Sequence, residues 1–159
     1  RAGSGLRLGD DNLPCIEQPT SVVAHIRTFL QRHNHANLYE LGMAVRRAVL
    51  GDAHVDRAEA NQTEFDADFQ RFITETAWGK VWTRGGIDRK TRHLVTIALI
   101  AALGKEHELA LHIRATRNTD VSADEVKEAL MQVAAYAGVP TANAAFAVAK
   151  RVYAEMSSG

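Results

Sequence analysis

The sequence predicts an all-α fold, and three observations carry that reading. Alanine is abundant and aromatic residues make up only 6% of the chain, a balance that favours helix. Only three prolines are present, at 14, 19 and 140. Apolar residues recur at helical spacing in one segment after another, and no strand signal survives beside them. With 159 residues, the chain is long enough for one domain of ordinary size with a real core.

Residues 1–11 are Gly-rich and read as irregular. After Pro19, the spacing of Val22, Val23, Ile26, Phe29 and Leu30 predicts an amphipathic helix over 20–32, and residues 33–37 read as a loop. A second region begins at Asn37, so the chain divides into an N-terminal extension, 1–36, and a helical domain, 37–159. Asn37 and Glu40 have capping-box spacing ahead of Leu41, Met43, Val45, Val49 and Leu50, and Gly51 can end that helix. Residues 52–62 are polar and only weakly periodic. Thr63 starts a helix carrying Phe65, Phe69, Phe72 and Ile73. Gly79, Gly85 and Gly86 then punctuate a short connector that holds Trp78, Trp82 and Arg84.

Asp88 caps the longest apolar stretch, 94–103, whose apolar residues run all round the helix. Such a helix should be buried on most sides, and in so small a domain other subunits are expected to cover part of it. Gly104 interrupts the run, and 106–117 forms the next helix. Ser122 and Glu125 form another capping box, leading into Val126, Leu130 and Val133. The Gly138-Val139-Pro140 break precedes a last helix over about 141–156.

Composition excludes several classes of function. The 19 basic residues balance 19 acidic ones, which gives no general electrostatic reason to bind nucleic acid or an anionic membrane. No 18-residue apolar run is present, so no membrane span is expected. Cys15 is the single cysteine, so neither an intramolecular disulfide nor a cysteine redox pair can form. Residues 1–9 lack the apolar core of a signal peptide, and a cytoplasmic location is expected. The chain also lacks an initiator methionine, as a fragment or processed chain would.

The run His107-Glu108-Leu109-Ala110-Leu111-His112 carries the most chemistry. Glu108 and His112 are four apart, which puts a carboxylate and an imidazole on one helix face. Such a pair can do acid–base work or be a plain surface ion pair. His107 and His112 are five apart and point about 140° away from each other round a helix, which argues against a shared zinc ion, so no metal site is expected. Arg92 and His93 open the apolar helix. Arg92 reads as a solvated helix end or an anion contact, and His93 as a core histidine or a site residue. Trp82 and Tyr136 read as packing residues with a polar handle.

Three segments together resemble the carboxymuconolactone decarboxylase family: Trp82-Thr83-Arg84-Gly85-Gly86-Ile87-Asp88-Arg89-Lys90-Thr91-Arg92, then Glu108-Leu109-Ala110-Leu111-His112, then Tyr136-Ala137-Gly138-Val139-Pro140. The resemblance covers roughly residues 38–156. It implies the all-helical alkylhydroperoxidase-like fold and a homo-oligomer, a trimer or hexamer. It also implies cofactor-free decarboxylation of a lactone dicarboxylate in the protocatechuate branch of the β-ketoadipate pathway. Peroxidase members of the wider superfamily carry Cys-x-x-Cys followed by a histidine. Lys105 and Glu108 stand in those cysteine positions, which argues against thiol chemistry. Family members commonly have Gly at position 120, where this chain has Asp120. Asp tolerates the left-handed turn expected there, and the position reads as standing apart from the chemistry.

Residues 1–35 are similar instead to the tail of an α/β-hydrolase, on Asn12-Leu13-Pro14-Cys15-Ile16-Glu17-Gln18-Pro19 and the helix that follows. β-Ketoadipate enol-lactone hydrolase is known fused to the decarboxylase, so the extension is expected to be a remnant of such a fusion. Asn12 occupies the place of the hydrolase histidine, and no hydrolase activity is expected. The resemblance assigns His112, Glu108 and His93 to proton handling. It assigns Arg92 and Arg84, with Trp82 and Tyr136, to the substrate. Two rivals stay open: another reaction on the same scaffold, peroxidase-like or another lactone decarboxylation, and a non-catalytic helical oligomerisation module.

Overall fold

A computed structural model describes residues 37–158, and every element in that span is helical. Helix α1 covers 37–50, followed by α2 (Asp52–Ala60), α3 (Ala67–Ile73) and a π-helix (Thr74–Trp82). Then come α4 (Arg89–Ala102), α5 (Glu106–Ala115), a 3-10 turn (Thr116–Asn118), α6 (Ala123–Ala137) and α7 (Val139–Ser157). The helix expected over 20–32, the loop up to residue 36 and the hydrolase-like tail lie outside the described residues. Asn37 is already helical, so any cap of α1 lies outside them too.

Helices α4 to α7 form the core. α6 packs on α7, α5 on α7, and α4 on both α6 and α5. Ile97, Leu109, Ile113, Leu130 and Val152 fill the space between them and are inaccessible to solvent or nearly so. Burying each such side chain is worth about 1.5–3 kcal/mol. The starts of the helices follow the capping signals. Asp88 accepts from the Thr91 backbone N–H at 2.7 Å. Ser122 and Glu125 complete a reciprocal box at the start of α6. Lys90 reaches Glu125 at 2.8 Å and ties the first turn of α4 to that box. With Lys90 and the Ser122 N–H as partners, the Glu125 carboxyl is held down at about 2.

Three segments differ from the sequence expectation. The helix expected from Thr63 starts at Ala67, because the Asp66 carboxylate accepts from the Thr63 N–H at 2.7 Å and closes a turn ahead of it. Residues 52–60 form a helix despite their weak periodicity, with Val55 their sole buried side chain. Asp52, Asp56 and Glu59 share a face of α2, and all three reach the Arg47 guanidinium from α1. Residues 74–82 are a π-helix rather than a short connector. Hydroxyls of Thr74, Thr76 and Thr83 donate to the carbonyls four residues back, at Gln70, Phe72 and Gly79, which loosens the regular ladder before, within and after the wide turn. Gly79 does not break this helix. It lets the backbone of α1 approach, since a Cβ there would stand 2.5 Å from the Leu38 carbonyl oxygen. Gly42 on α1 does the same in return, with its virtual Cβ 2.2 Å from the Thr74 oxygen.

Helix α4 is buried on one face in the single chain. It buries the face carrying His93, Ile97 and Ala101, while Leu99 is 59% exposed and Val95 49%.

The glycine contact between α1 and the π-helix sets the first test. Alanine is the better helix former by about 1 kcal/mol, so propensity alone makes Gly42→Ala stabilising. The backbone clash reverses the sign. Gly42→Ala is expected to lower the unfolding free energy by about 2 kcal/mol in urea titrations, with an unchanged m-value.

Candidate active site

The site is built where α4 meets α5. On α4, the stripe His93, Ile97, Ala101 at four-residue spacing faces the core, so the first polar member of an otherwise apolar face is an imidazole. On α5, His112 shares the buried face with Leu109 and Ile113. The two rings meet edge to face, 5.2 Å between centroids, and His93 Nε2 lies 3.1 Å from His112 Nδ1. On its other side, His93 Nδ1 lies 2.7 Å from the Thr119 hydroxyl.

Thr119 is held by a tight turn. The Thr116 carbonyl accepts from the Thr119 N–H at 3.1 Å, from the Val121 N–H at 3.3 Å and from the Thr119 hydroxyl at 3.3 Å. The next residue, Asp120, has φ 56°, the single non-glycine residue with positive φ among the described residues. The expected left-handed turn is therefore present. It is not remote from the site, because it sets the residue that holds His93.

A carbonyl oxygen only accepts, so these bonds fix the tautomers together. With the Thr119 proton directed at Thr116, the hydroxyl oxygen accepts from His93 Nδ1–H. His93 Nε2 then accepts from His112 Nδ1–H, and His112 Nε2 keeps a free lone pair. Turning the Thr119 proton toward His93 reverses each link and leaves His112 Nε2 as a donor. Either way, the outer nitrogen of His112 is the group free for chemistry.

The aromatic wall comes from the π-helix. Trp78 and Trp82 stack at 4.8 Å, and Trp82 meets His93 edge to face at 5.9 Å. Burial depresses the proton affinity of both histidines, to about 4. At His93 the neighbouring His112 adds to the effect. At His112 the charge of His54 adds to it, and the Glu108 carboxylate opposes it. The resting pair is neutral at pH 7.

The structure brings together three of the expected residues, His93, His112 and Trp82. Glu108 is exposed one turn before His112 and acts on it through charge, while the ring itself is oriented by His93. Arg92 folds back so that its Nη2 donates to the Arg84 carbonyl at 2.8 Å, which holds the 83–88 loop over the start of α4. The Arg84 side chain is exposed. Tyr136 is 88% exposed near the end of α6, and the ring and hydrogen-bond contacts of the histidine pair do not include it. Sequence reasoning missed Thr119 and His54. Thr119 follows a helix end with no periodic signal, and His54 lies in the polar stretch read as weakly periodic.

A helical bundle with a buried imidazole pair beside an aromatic wall defines the class. The chain matches the sequence profile of the Carboxymuconolactone decarboxylase family over residues 67–151, and it belongs to that family. It is 46% identical over 123 residues to a 4-carboxymuconolactone decarboxylase of Acinetobacter baylyi, covering 77% of this chain and 92% of that one. It is 40% identical over 122 residues to the nitrosuccinic acid decarboxylase npaB of Metarhizium robertsii, covering 77% and 85%. A 4-carboxymuconolactone decarboxylase sequence of Pseudomonas putida is 56% identical over 41 residues, 26% of this chain and 85% of that sequence.

The depressed histidines make stability depend on acid. The unfolded chain binds protons near the ordinary value of 6.5, and the folded pair only near 4. Stability therefore falls as pH drops from about 6.5 to about 4 and loses nothing further from these groups below that. Thermal melts across this window are expected to show a shallower slope for the H93Q/H112Q double variant than for the parent.

Proposed function

We propose that the chain decarboxylates 4-carboxymuconolactone to the β-ketoadipate enol-lactone, without a cofactor, and that His112 delivers the proton. The observation that carries the reading is the buried imidazole pair, whose single free nitrogen belongs to His112. The decarboxylase relatives support the substrate class.

The substrate is an unsaturated lactone with a carboxylate on the ring carbon next to oxygen and an acetate arm. When the carbon–carbon bond to that carboxylate breaks, CO₂ leaves and its electron pair enters the ring. The pair delocalises through the double bond onto the lactone carbonyl, giving a dienolate. One proton added at the α-carbon completes the product, so each turnover consumes one proton.

A neutral His112 is a poor acid, and the substrate corrects this. A dianion entering beside a buried imidazole favours its protonated form, against the desolvation that depresses it. Glu108 pulls the same way. The proton is thus taken up with the substrate and held next to the carbon that needs it. Trp78 and Trp82 keep the pair out of bulk water, which strengthens each charge interaction in the site. Arg92, next to His93 at the start of α4, and Arg84, in the loop before it, are the carboxylate and oxyanion candidates. Nitrosuccinate, the acid named for the fungal relative, is also a dicarboxylate with its own electron sink, the nitro group.

The expected outcome is a loss of about 10²-fold or more in kcat for His112→Ala, followed by CO₂ release and loss of substrate absorbance, with the fold retained by circular dichroism. Near-parental turnover removes His112 from the mechanism.

The same reading makes the working form a homo-oligomer. Val95 and Leu99 lie on α4 with Leu103 at its end, and Phe69 and Phe72 lie on α3 with Phe65 in the turn before it, all of them exposed in the single chain. A second copy is the partner that the superfamily likeness implies for them. Leu99→Glu is expected to lower the mass measured by light scattering on a sizing column. An unchanged mass sets that face aside. No helix of the described residues is long and apolar enough to cross a membrane.

A further inference from the structure

Beside the histidine pair, α2 and α5 enclose a cavity of about 360 Å³, within the range of small-ligand sites. Its wall carries His54 and Arg57 from α2, Leu111 and Arg114 from α5, and Arg117 and Asn118 from the turn that follows. Four of these six side chains bear or can bear positive charge.

Two of the charges on this wall are already matched. Arg114 is ion-paired with Glu155 of α7. Asp52, which also lines the cavity, bonds the Arg47 guanidinium at 3.2 Å. Asn118 donates its amide to the Val49 carbonyl at 2.9 Å. Arg57 and Arg117 are exposed and have no ion pair among the described residues. Positive charge is thus left over at the cavity. His54 reports it: burial, then the charges of Arg46, Arg57 and His107, hold its imidazole below the ordinary value. The cavity also lies near the site. Leu111 precedes His112 in the chain, and the charge of His54 is felt at the His112 ring.

We propose that this cavity is a carboxylate-binding site, in which Arg57 and Arg117 grip one carboxylate of a small dicarboxylate beside His54 while the rest of the molecule reaches toward His112. The inference rests on the decarboxylase reading for the identity of the physiological ligand. A guanidinium fork matches a carboxylate in two parallel hydrogen bonds, which suits recognition better than a lone ammonium does. Two arginines without carboxylate partners keep their full set of donors for such a ligand. The position accounts for a requirement of the substrate class: one carboxylate must be held while the other leaves.

The test uses succinate, an unreactive dicarboxylate, as the probe. Titrated into the protein, it is expected to shift the ring signals of His54 and the methyl signals of Leu111 saturably in NMR spectra. Arg57→Gln and Arg117→Gln are each expected to weaken that binding about 10-fold, the loss of a charge-assisted hydrogen bond. With the lactone as substrate, the same variants should raise KM by a similar factor and leave kcat within about 3-fold of the parent. Both arginines are exposed, so the variants keep the fold. Three results overturn the site: no shift at His54, equal shifts with chloride at the same concentration, which marks an adventitious ion only, or an unchanged KM in both variants. Succinate binding that depends on both arginines, in a protein that leaves the lactone untouched, upholds the site and sinks the decarboxylase reading alone.

Discussion

The contact on which the site depends is the hydrogen bond between His93 and His112. It joins two helices through groups that strongly prefer water. Each buried imidazole needs a partner for each ring nitrogen it hides, and leaving one unpaired costs about 1–3 kcal/mol. The inner ring, His93, is satisfied on both nitrogens, by Thr119 and by His112. This works only if α4, α5 and the turn after α5 hold their relative positions within a few tenths of an ångström. The caps at Asp88 and Ser122, the Lys90–Glu125 bridge and the left-handed Asp120 all act at that junction. Local devices that look like ordinary helix punctuation thereby set the geometry of one hydrogen bond.

How the sequence reveals this follows from the range of each interaction. Caps are local, and Asp88 with Thr91, or Ser122 with Glu125, can be read three residues apart. The left-handed turn at Asp120 is likewise a property of one residue's backbone. The pair Glu108 and His112 is legible as a helix face, but its reading as a site was made through resemblance. What could not be read are contacts across 19 to 26 residues: His93 to His112, and His93 to Thr119. Nothing in the i, i+4 pattern says that His112 takes its orienting bond from another helix rather than from Glu108. The π-helix was hidden for a related reason. Gly79 has the signature of a break when read along the chain, and only its contact with the Leu38 carbonyl shows why a helix tolerates it there. Helix α2 was hidden because it buries one side chain, Val55, rather than an apolar stripe, and its acidic face pairs with an arginine on a different helix.

Burial and a bound dianion would act on the His112 ring in opposite directions, and that opposition has chemical use. Burial keeps both imidazoles neutral in the resting protein. A permanently charged His112 would strengthen its bond to a neutral His93 but would stand buried with no anion to balance it, which costs more than the bond returns. An anion supplies the compensation only when it is present, so protonation and occupancy are coupled. The exposed Glu108 fits this arrangement. A carboxylate hydrogen-bonded directly to His112 would favour the charged ring at all times, whereas one acting from the rim biases the equilibrium without fixing it.

The same helical position serves different chemistry according to the residues around it. In thiol-bearing relatives of this superfamily, the two positions before the histidine would supply a sulfur nucleophile. Here they are Lys105, at the start of α5, and the solvated Glu108. With no nucleophile at these positions, the proposed chemistry makes no covalent intermediate, and the electron pair released by bond cleavage must go into the substrate. That requirement selects molecules with a conjugated acceptor next to the departing carboxylate, such as an unsaturated lactone. The protein is left with two tasks that an imidazole and a positively charged cavity can perform: holding an anion that becomes less charged as CO₂ departs, and returning one proton to the carbon it leaves behind.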